Sequence, residues 1–232
     1  MIILKTVQQK RNCINRRLRL KKYLTIQNDD FTETMVEEPE SPIGFTYADY
    51  LTWNYKERIE LIRGRIFKMS PAPSVTHQKI QANIFGGLFT FLKNKHCKVL
   101  CSPVDVRLKG KPFRKRKLSD DEITTVVQPD IIVVCDEEKL KDERCVDGAP
   151  ELVIEILSPG NTRTETKYKF DLYEENGVEE YWVVYPEYKL IHVYLLDDDG
   201  KYGKPVFYEA NENIKSTVLK GLRIPTNDIF KL

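Results

Sequence analysis

A glutamate set in the middle of an apolar strand is the feature that most limits what this chain can be. Glu155 lies between Leu152-Val153-Ile154 and Ile156-Leu157 in the segment APELVIEILSPG. A run this short, β-branched and bounded by proline and glycine reads as a buried strand. Such a strand cannot carry an ionised carboxylate without a partner, because an unpaired buried charge costs several kcal/mol or shifts its pKa upward. Glu155 therefore needs an explanation that the rest of the chain has to supply. A second acid stands upstream: Asp130 follows Pro129 and opens another apolar run, Ile131 to Val134, in QPDIIVVCD.

The segment after Ser158-Pro159-Gly160 predicts a helix from about Arg163 to Asn176. Thr162 and Glu165 have capping-box spacing, and Gly177 suits the position after the helix end. Glu165, Lys169 and Tyr173 recur at i, i+4 and i+8, so they form one stripe. Leu172 sets Lys169 beside the apolar face, from which its ammonium can reach inward. The strand EEYWVVY follows, so Glu151 to Tyr185 reads as a parallel, right-handed strand–helix–strand crossover. Glu155 shares a strand face with Val153 and Leu157. If the strands of Asp130 and Glu155 are neighbours, both carboxylates reach one rim of the sheet. With the carbonyl of Ile156 they make an all-oxygen set suited to Mg²⁺ or Mn²⁺. Lys169 would then orient a water near a scissile phosphate and neutralise developing charge. Each residue also has a plainer role, Asp130 as a strand-opening cap and Lys169 as a surface lysine lying along apolar side chains.

The rest of the chain supplies the frame. Residues 1–42 read as a charged, flexible extension, since eight basic residues precede Asp29 and a block of acids follows. It is either a solvated tail, a short helix with a linker, or a phosphate-binding arm, and Met35 offers an alternative start. Residues 43–232 read as one α/β domain. Thr46 caps a short helix; RIELIRGRIFKM is a hairpin turned at Gly64; Ile80, Ile84, Leu88 and Leu92 mark a helix from Val75 to about Lys95. Gly86-Gly87 within it suggests close packing against the sheet. CKVLCSPVDVRL reads as one strand with Pro103 near its middle, hence an edge or a bulge. KLIHVYLL and PVFYEA form a terminal hairpin, followed by a short tail. Lys109, Lys111, Arg114, Lys115, Arg116 and Lys117 crowd a loop that is either a solvated tip or a phosphate-backbone contact, with Phe113 free to stack on a base.

The net charge of +2 and the ordinary apolar content exclude nothing by themselves. The five cysteines show no CxxC pair and read as free thiols suited to a reducing cytoplasm, with Cys135 a small buried hydrophobe. No apolar run is long enough to span a membrane. His96 and His192 have no paired ligand spacing, so no zinc site is expected.

The order of Asp130 and Glu155 resembles the PD-(D/E)XK nuclease superfamily. More closely, IELIRGRIFKMSPAPSVTHQ, CSPVDVRL, QPDIIVVCD and GAPELVIEILSPGNTRTETKYKFDLYEENGVEEYWVVYPE resemble the Uma-two family of restriction-endonuclease-like proteins, over roughly residues 45–196. The resemblance implies an α/β (α+β) fold: a restriction-endonuclease-like mixed central sheet flanked by helices, with an N-terminal hairpin and a C-terminal hairpin extension. It implies a metal-dependent endonuclease acting on DNA, with Asp130 and Glu155 as metal ligands. The superfamily's lysine two residues after the glutamate is Leu157 here, and Lys169 matches the lysine that the Uma-two pattern carries on the next helix. Glu165 stands where that pattern has aspartate, and Tyr173 matches. His77 and Gln78 match its His-Gln pair, His77 being either a locally bonded helix-start residue or a catalytic group lining the site. Glu60 matches in the first hairpin as a third acid. The alternative function is a catalytically inactive nuclease-fold module that binds nucleic acid. A third reading, a partner-binding protein, rests on the aromatics of the terminal hairpin, which also fit a homodimer surface.

Overall fold

The computed structural model describes residues 23–27, 33–37, 44–54, 57–69, 73–158 and 163–231; for 23–27, 33–37 and 163–165 it describes the main chain. The chain divides into two units, Met1–Gly44 and Phe45–Leu232. In the first, β1 (Tyr23–Gln27) pairs antiparallel with β2 (Glu33–Glu37). The described part of this charged segment is thus a strand pair and not a helix, in keeping with the β-branched Thr25, Ile26, Thr34 and Val36.

The second unit opens with α1 (Tyr47–Tyr50), capped by Thr46 as expected. β3 (Ile59–Ile62) and β4 (Arg65–Lys68) form the first hairpin. Arg63 and Gly64 turn it at φ of 50° and 73°, the positive values that a tight two-residue hairpin loop requires. α2 (Val75–Leu92) starts at Ser74, whose hydroxyl accepts the His77 amide. Then come β5 (Lys98–Cys101), β6 (Asp105–Arg107), β7 (Val126–Val127), β8 (Ile131–Val134), β9 (Cys145–Asp147) and β10 (Leu152–Ile156). α3 (Arg163–Asn176) leads to β11 (Glu180–Tyr185), β12 (Leu190–Leu195) and β13 (Val206–Tyr208). β14 (Asn213–Lys215), β15 (Arg223–Pro225) and α4 (Thr226–Ile229) close the chain.

The central sheet has the order β13-β12-β11-β10-β8-β5. β10 and β11 run parallel, joined through α3, with Glu155 opposite Val183. The other pairs are antiparallel, so the sheet is mixed. β8 and β10 are direct neighbours, Val153 facing Ile132. On one face Ile131, Val133, Ile154 and Trp182 pack on Ile80, Ile84 and Leu88 of α2. On the other, Ile132, Val153 and Val183 pack on Leu172 and Tyr173 of α3 and on Val106, Val127 and Val146. Burial on both faces is why these strands read as unbroken apolar runs. Glu155 lies on the α3 face with Val153.

The first hairpin belongs to a second sheet of order β4-β3-β7-β6-β9. Two expectations need correction. CKVLCSPVDVRL is two strands: β5 lies at the edge of the central sheet, and after Ser102-Pro103 the chain enters the second sheet as β6. Proline cannot donate to a ladder, so it falls where the chain leaves one sheet for the other. The short tail holds β14, β15 and α4, whose Ile214, Ile224 and Ile229 join the α2-side core.

Cys97 and Cys135 are joined as a disulfide and are not free thiols. The β5–β8 register, with Lys98 opposite Val134, brings them side by side across the strands, a pairing that sequence spacing cannot show. Cys101 and Cys145 are free, and Cys13 lies outside the described residues. Among the described residues no helix is long and apolar enough to cross a membrane.

The glycine pair of α2 divides in role. A methyl placed on Gly86 would meet nothing within 4 Å, whereas one on Gly87 would come within 3.1 Å of Ile224 in β15, not of the central sheet. Gly86→Ala should therefore raise stability by about 0.5–1 kcal/mol through helix propensity. Gly87→Ala should gain less or lose stability. Denaturant unfolding of the two variants checks this, and equal gains would contradict the packing role of Gly87.

Candidate active site

Four elements deliver side chains to one cleft of about 440 Å³. Its lining includes Glu60 of β3, His77 of α2, Asp130 before β8, Glu155 of β10 and Lys169 of α3. Asp130 sits where the chain passes from β7 in the second sheet to β8 in the central sheet. Its Oδ2 accepts the Ile156 amide at 2.8 Å, which ties it to the residue after Glu155. Its Oδ1 lies 3.2 Å from His77 Nε2. The Asp130 carbonyl accepts from Ser102 N at 3.0 Å and from Gln81 Nε2 at 2.8 Å.

Glu155 is 7% exposed. Its Oε1 accepts from the Tyr173 hydroxyl at 2.6 Å and from Lys169 Nζ at 3.0 Å. Lys169 also lies 3.3 Å from Glu60 Oε1, which accepts the Gln128 amide at 2.9 Å. The stripe of Lys169 and Tyr173 thus faces the buried glutamate across the sheet. The side chain of Glu165, in the first turn of α3, and the proposed Thr162 cap lie outside the described residues.

Burial pushes the Glu155 carboxyl up to about 7; Lys169 opposes the rise, and the charges of Asp130 and Glu60 add to it. Burial acts to lower the Lys169 value, but Glu155 and Glu60 outweigh it and hold the ammonium charged. Burial and the neighbouring Glu155 also raise the Tyr173 phenol well above its ordinary value, so it stays a donor. Three carboxyl groups therefore meet one ammonium. This surplus of hard oxygen donors fits a divalent cation of the Mg²⁺ or Mn²⁺ kind, which would offset the burial cost of Glu155.

His77 is buried, and its Nδ1 has no hydrogen-bond partner among the described residues. Gln78 donates to Gln81 Oε1 at 2.9 Å, so it reaches Asp130 only through Gln81. Gln81 was missed in the sequence, though its i, i+4 spacing from His77 puts it on the same helix face. Arg58 was missed too. It lines the cleft, is exposed, and bonds Gln128 Oε1 at 2.8 Å. No periodic signal marks it.

The basic loop lines a separate cleft of about 1030 Å³. Lys109 pairs with Asp147 at 2.8 Å, Arg114 donates to the Glu175 carbonyl at the end of α3, and Arg116 pairs with Glu122. Lys111, Lys115 and Lys117 are exposed. His96, assigned no metal partner from spacing, lies against Cys97 and Cys135.

The mixed α/β fold thus sets one acid on β10, a second just before the neighbouring β8, and a lysine on the crossover helix above them. A family described as "Putative restriction endonuclease" (Uma2) matches residues 47–227, and the chain belongs to that family. Among solved structures it is similar to "a putative nuclease belonging to DUF820" from Anabaena variabilis ATCC 29413. That likeness has a TM-score of 0.62 and 17% identity over 81% of this chain and 98% of the other. No curated protein sequence matches.

The raised Glu155 value fixes a sign. Folding favours the protonated acid, so its contribution to stability is full below its ordinary value of 4.5 and is lost as pH rises through about 7. Glu155→Gln cannot ionise and removes this slope. With chelator present, wild type should lose stability relative to Glu155→Gln between those pH values. Urea unfolding at a series of pH values measures it, and a constant difference would contradict the buried, metal-free acid.

Proposed function

We propose that this protein is a metal-dependent endonuclease that hydrolyses phosphodiester bonds of DNA. The observation that carries this reading is the meeting of Asp130, just before β8, with Glu155 of β10 and Lys169 of α3 in one cleft. The family's description as a restriction endonuclease supports DNA as substrate.

Asp130 and Glu155 would hold Mg²⁺ or Mn²⁺, with Glu60 as a third oxygen donor. When bound, the ion would acidify a water and offset negative charge on the phosphoryl oxygens. Lys169, held charged by the acids around it, orients the attacking water and neutralises charge gathering on the phosphoryl oxygens. Tyr173 fixes Glu155 through its hydroxyl. His77 positions Asp130: donation from Nε2–H to Oδ1 sets the carboxylate's angle. Gln81, supported by Gln78, holds the main chain of Asp130. Arg58 at the rim contacts a flanking phosphate. Lys111, Lys115 and Lys117 add phosphate contacts away from the cleft, while Lys109, Arg114 and Arg116 shape the loop that presents them.

Supercoiled plasmid and single-stranded DNA, incubated with Mg²⁺, Mn²⁺ or chelator, test the proposal. Wild type should cut only with metal. Glu155→Ala should lose both cutting and metal binding. Lys169→Ala should keep metal binding while kcat falls by about 10²–10³-fold. Metal affinity unchanged in Glu155→Ala would remove the metal site. Salt-dependent DNA binding without cutting would favour the inactive binding module.

A further inference from the structure

We propose that His96, Cys97 and Cys135 form a redox-gated site for a thiophilic dication of the zinc class, separate from the carboxylate cleft. One ligand atom from each residue lies within 4.8 Å of the others. His96 Nε2 is 3.4 Å from Cys97 Sγ. A tetrahedral zinc at ordinary bond lengths spaces its nitrogen and sulfur ligands by about 3.5 Å. Relative to Cys97, the histidine therefore already stands at the span that a shared ion requires. His96 is exposed, Cys135 half-buried and Cys97 buried, so an ion can enter from solvent on the histidine side.

The ligands come from the ends of two paired strands. His96 and Cys97 precede β5, Cys135 follows β8, and the β5–β8 ladder fixes their spacing. This is a rigid frame for a site. Three protein ligands leave a fourth tetrahedral position for water or a small molecule, the arrangement of open zinc sites. A cleft of about 530 Å³ that Cys97 lines, with Lys93, Lys98 and Arg144, adjoins the cluster.

The disulfide is the gate. A dithiol reductant gives up two electrons and two protons and becomes a disulfide; the Cys97–Cys135 bond breaks and each sulfur becomes a thiol. Metal binding then releases both thiol protons to solvent, and neutral His96 donates its Nε2 lone pair. Two thiolates and a dication leave the site neutral. Sulfur and imidazole select soft or borderline ions, whereas the carboxylate cleft selects hard ones. The chain thus sorts two metals by ligand chemistry.

Cobalt(II) is the probe that separates the two sites, because only thiolate ligands give a sulfur-to-cobalt charge-transfer band. The full chain is reduced with a dithiol, freed of it under argon and titrated with cobalt(II). The expected result is that band, with intense tetrahedral visible bands, saturating at one equivalent, reversed by zinc(II), and missing from the oxidised protein. Cys97→Ser and Cys135→Ser should abolish it. His96→Ala, at an exposed position that leaves folding intact, should weaken cobalt binding on the order of tenfold or more. Cys101→Ser and Glu155→Ala should leave it unchanged. No band in reduced wild type, a band that survives Cys135→Ser, or unchanged affinity in His96→Ala would overturn the site. Alkylation of Cys97 and Cys135 without prior reduction would overturn the gate. Since no outcome depends on DNA cutting, failure here is distinguishable from failure of the nuclease reading.

Discussion

The carboxylate of Glu155 is the constraint around which the fold is arranged. It sits on a central strand, between apolar neighbours, on the face covered by α3. Water solvates it poorly there, and part of that cost is offset by the Tyr173 hydroxyl and the Lys169 ammonium. Both come from one helix, and that helix is the crossover joining β10 to β11. The connection that makes these strands parallel therefore also carries the partners of the buried acid. Buried ion pairs are poor stabilisers, since apolar residues of the same shape usually do as well or better. An acid–lysine–tyrosine set held at this position is better explained by chemistry than by stability.

The cleft exists because the chain changes sheets twice at the same place. Cys101 ends β5 in the central sheet, and Asp105 begins β6 in the second. Val127 ends β7 in the second sheet, and Ile131 begins β8 in the central one. The passages run side by side, joined by the Ser102 amide on the Asp130 carbonyl. Each contains a proline, Pro103 or Pro129. Asp130 belongs to a passage, and from there its carboxylate reaches both His77 and the Ile156 amide. Glu60 arrives from the second sheet and meets Lys169. The two sheets and both long helices must all be in place before the acids converge.

Much of this was legible because it follows local rules. The span of α3, the hairpin turned at Gly64 and the parallel crossover came from periodicity, turn residues and apolar runs, whereas the pairing of β10 with β8 was only a condition of the reading and is supplied by the structure. The two-sheet arrangement was not legible: β6, β7 and β9 are two or three residues long and leave no periodic trace. Pro103 looked like a flaw in one strand when it separates two. The C-terminal hairpin packs through isolated isoleucines, Ile214 and Ile224, which no period marks. Of the site, Glu60, Asp130, Glu155 and Lys169 were named from the chain. Gln81 and Arg58 act through contacts with residues distant in sequence. The Cys97–Cys135 bond likewise depends on strand register alone.

Leu157 shows why a site is better followed in space than along the chain. It lies two residues beyond Glu155 on the same strand face, where the superfamily that the chain resembles places its lysine. Here it packs against the α3-side core. The ammonium reaches Glu155 all the same, from a helix lying over that very face. A lysine on the strand must bend back along its own strand to meet the acid. One on the helix descends from above, and in the same stroke reaches Glu60 of the second sheet. The helical position thus joins acids of two sheets through one cation. A lysine at 157 would lack the α3 anchorage that lets Lys169 do this. Moving the charge from strand to helix changes the sequence signature completely while keeping an ammonium beside the buried acid.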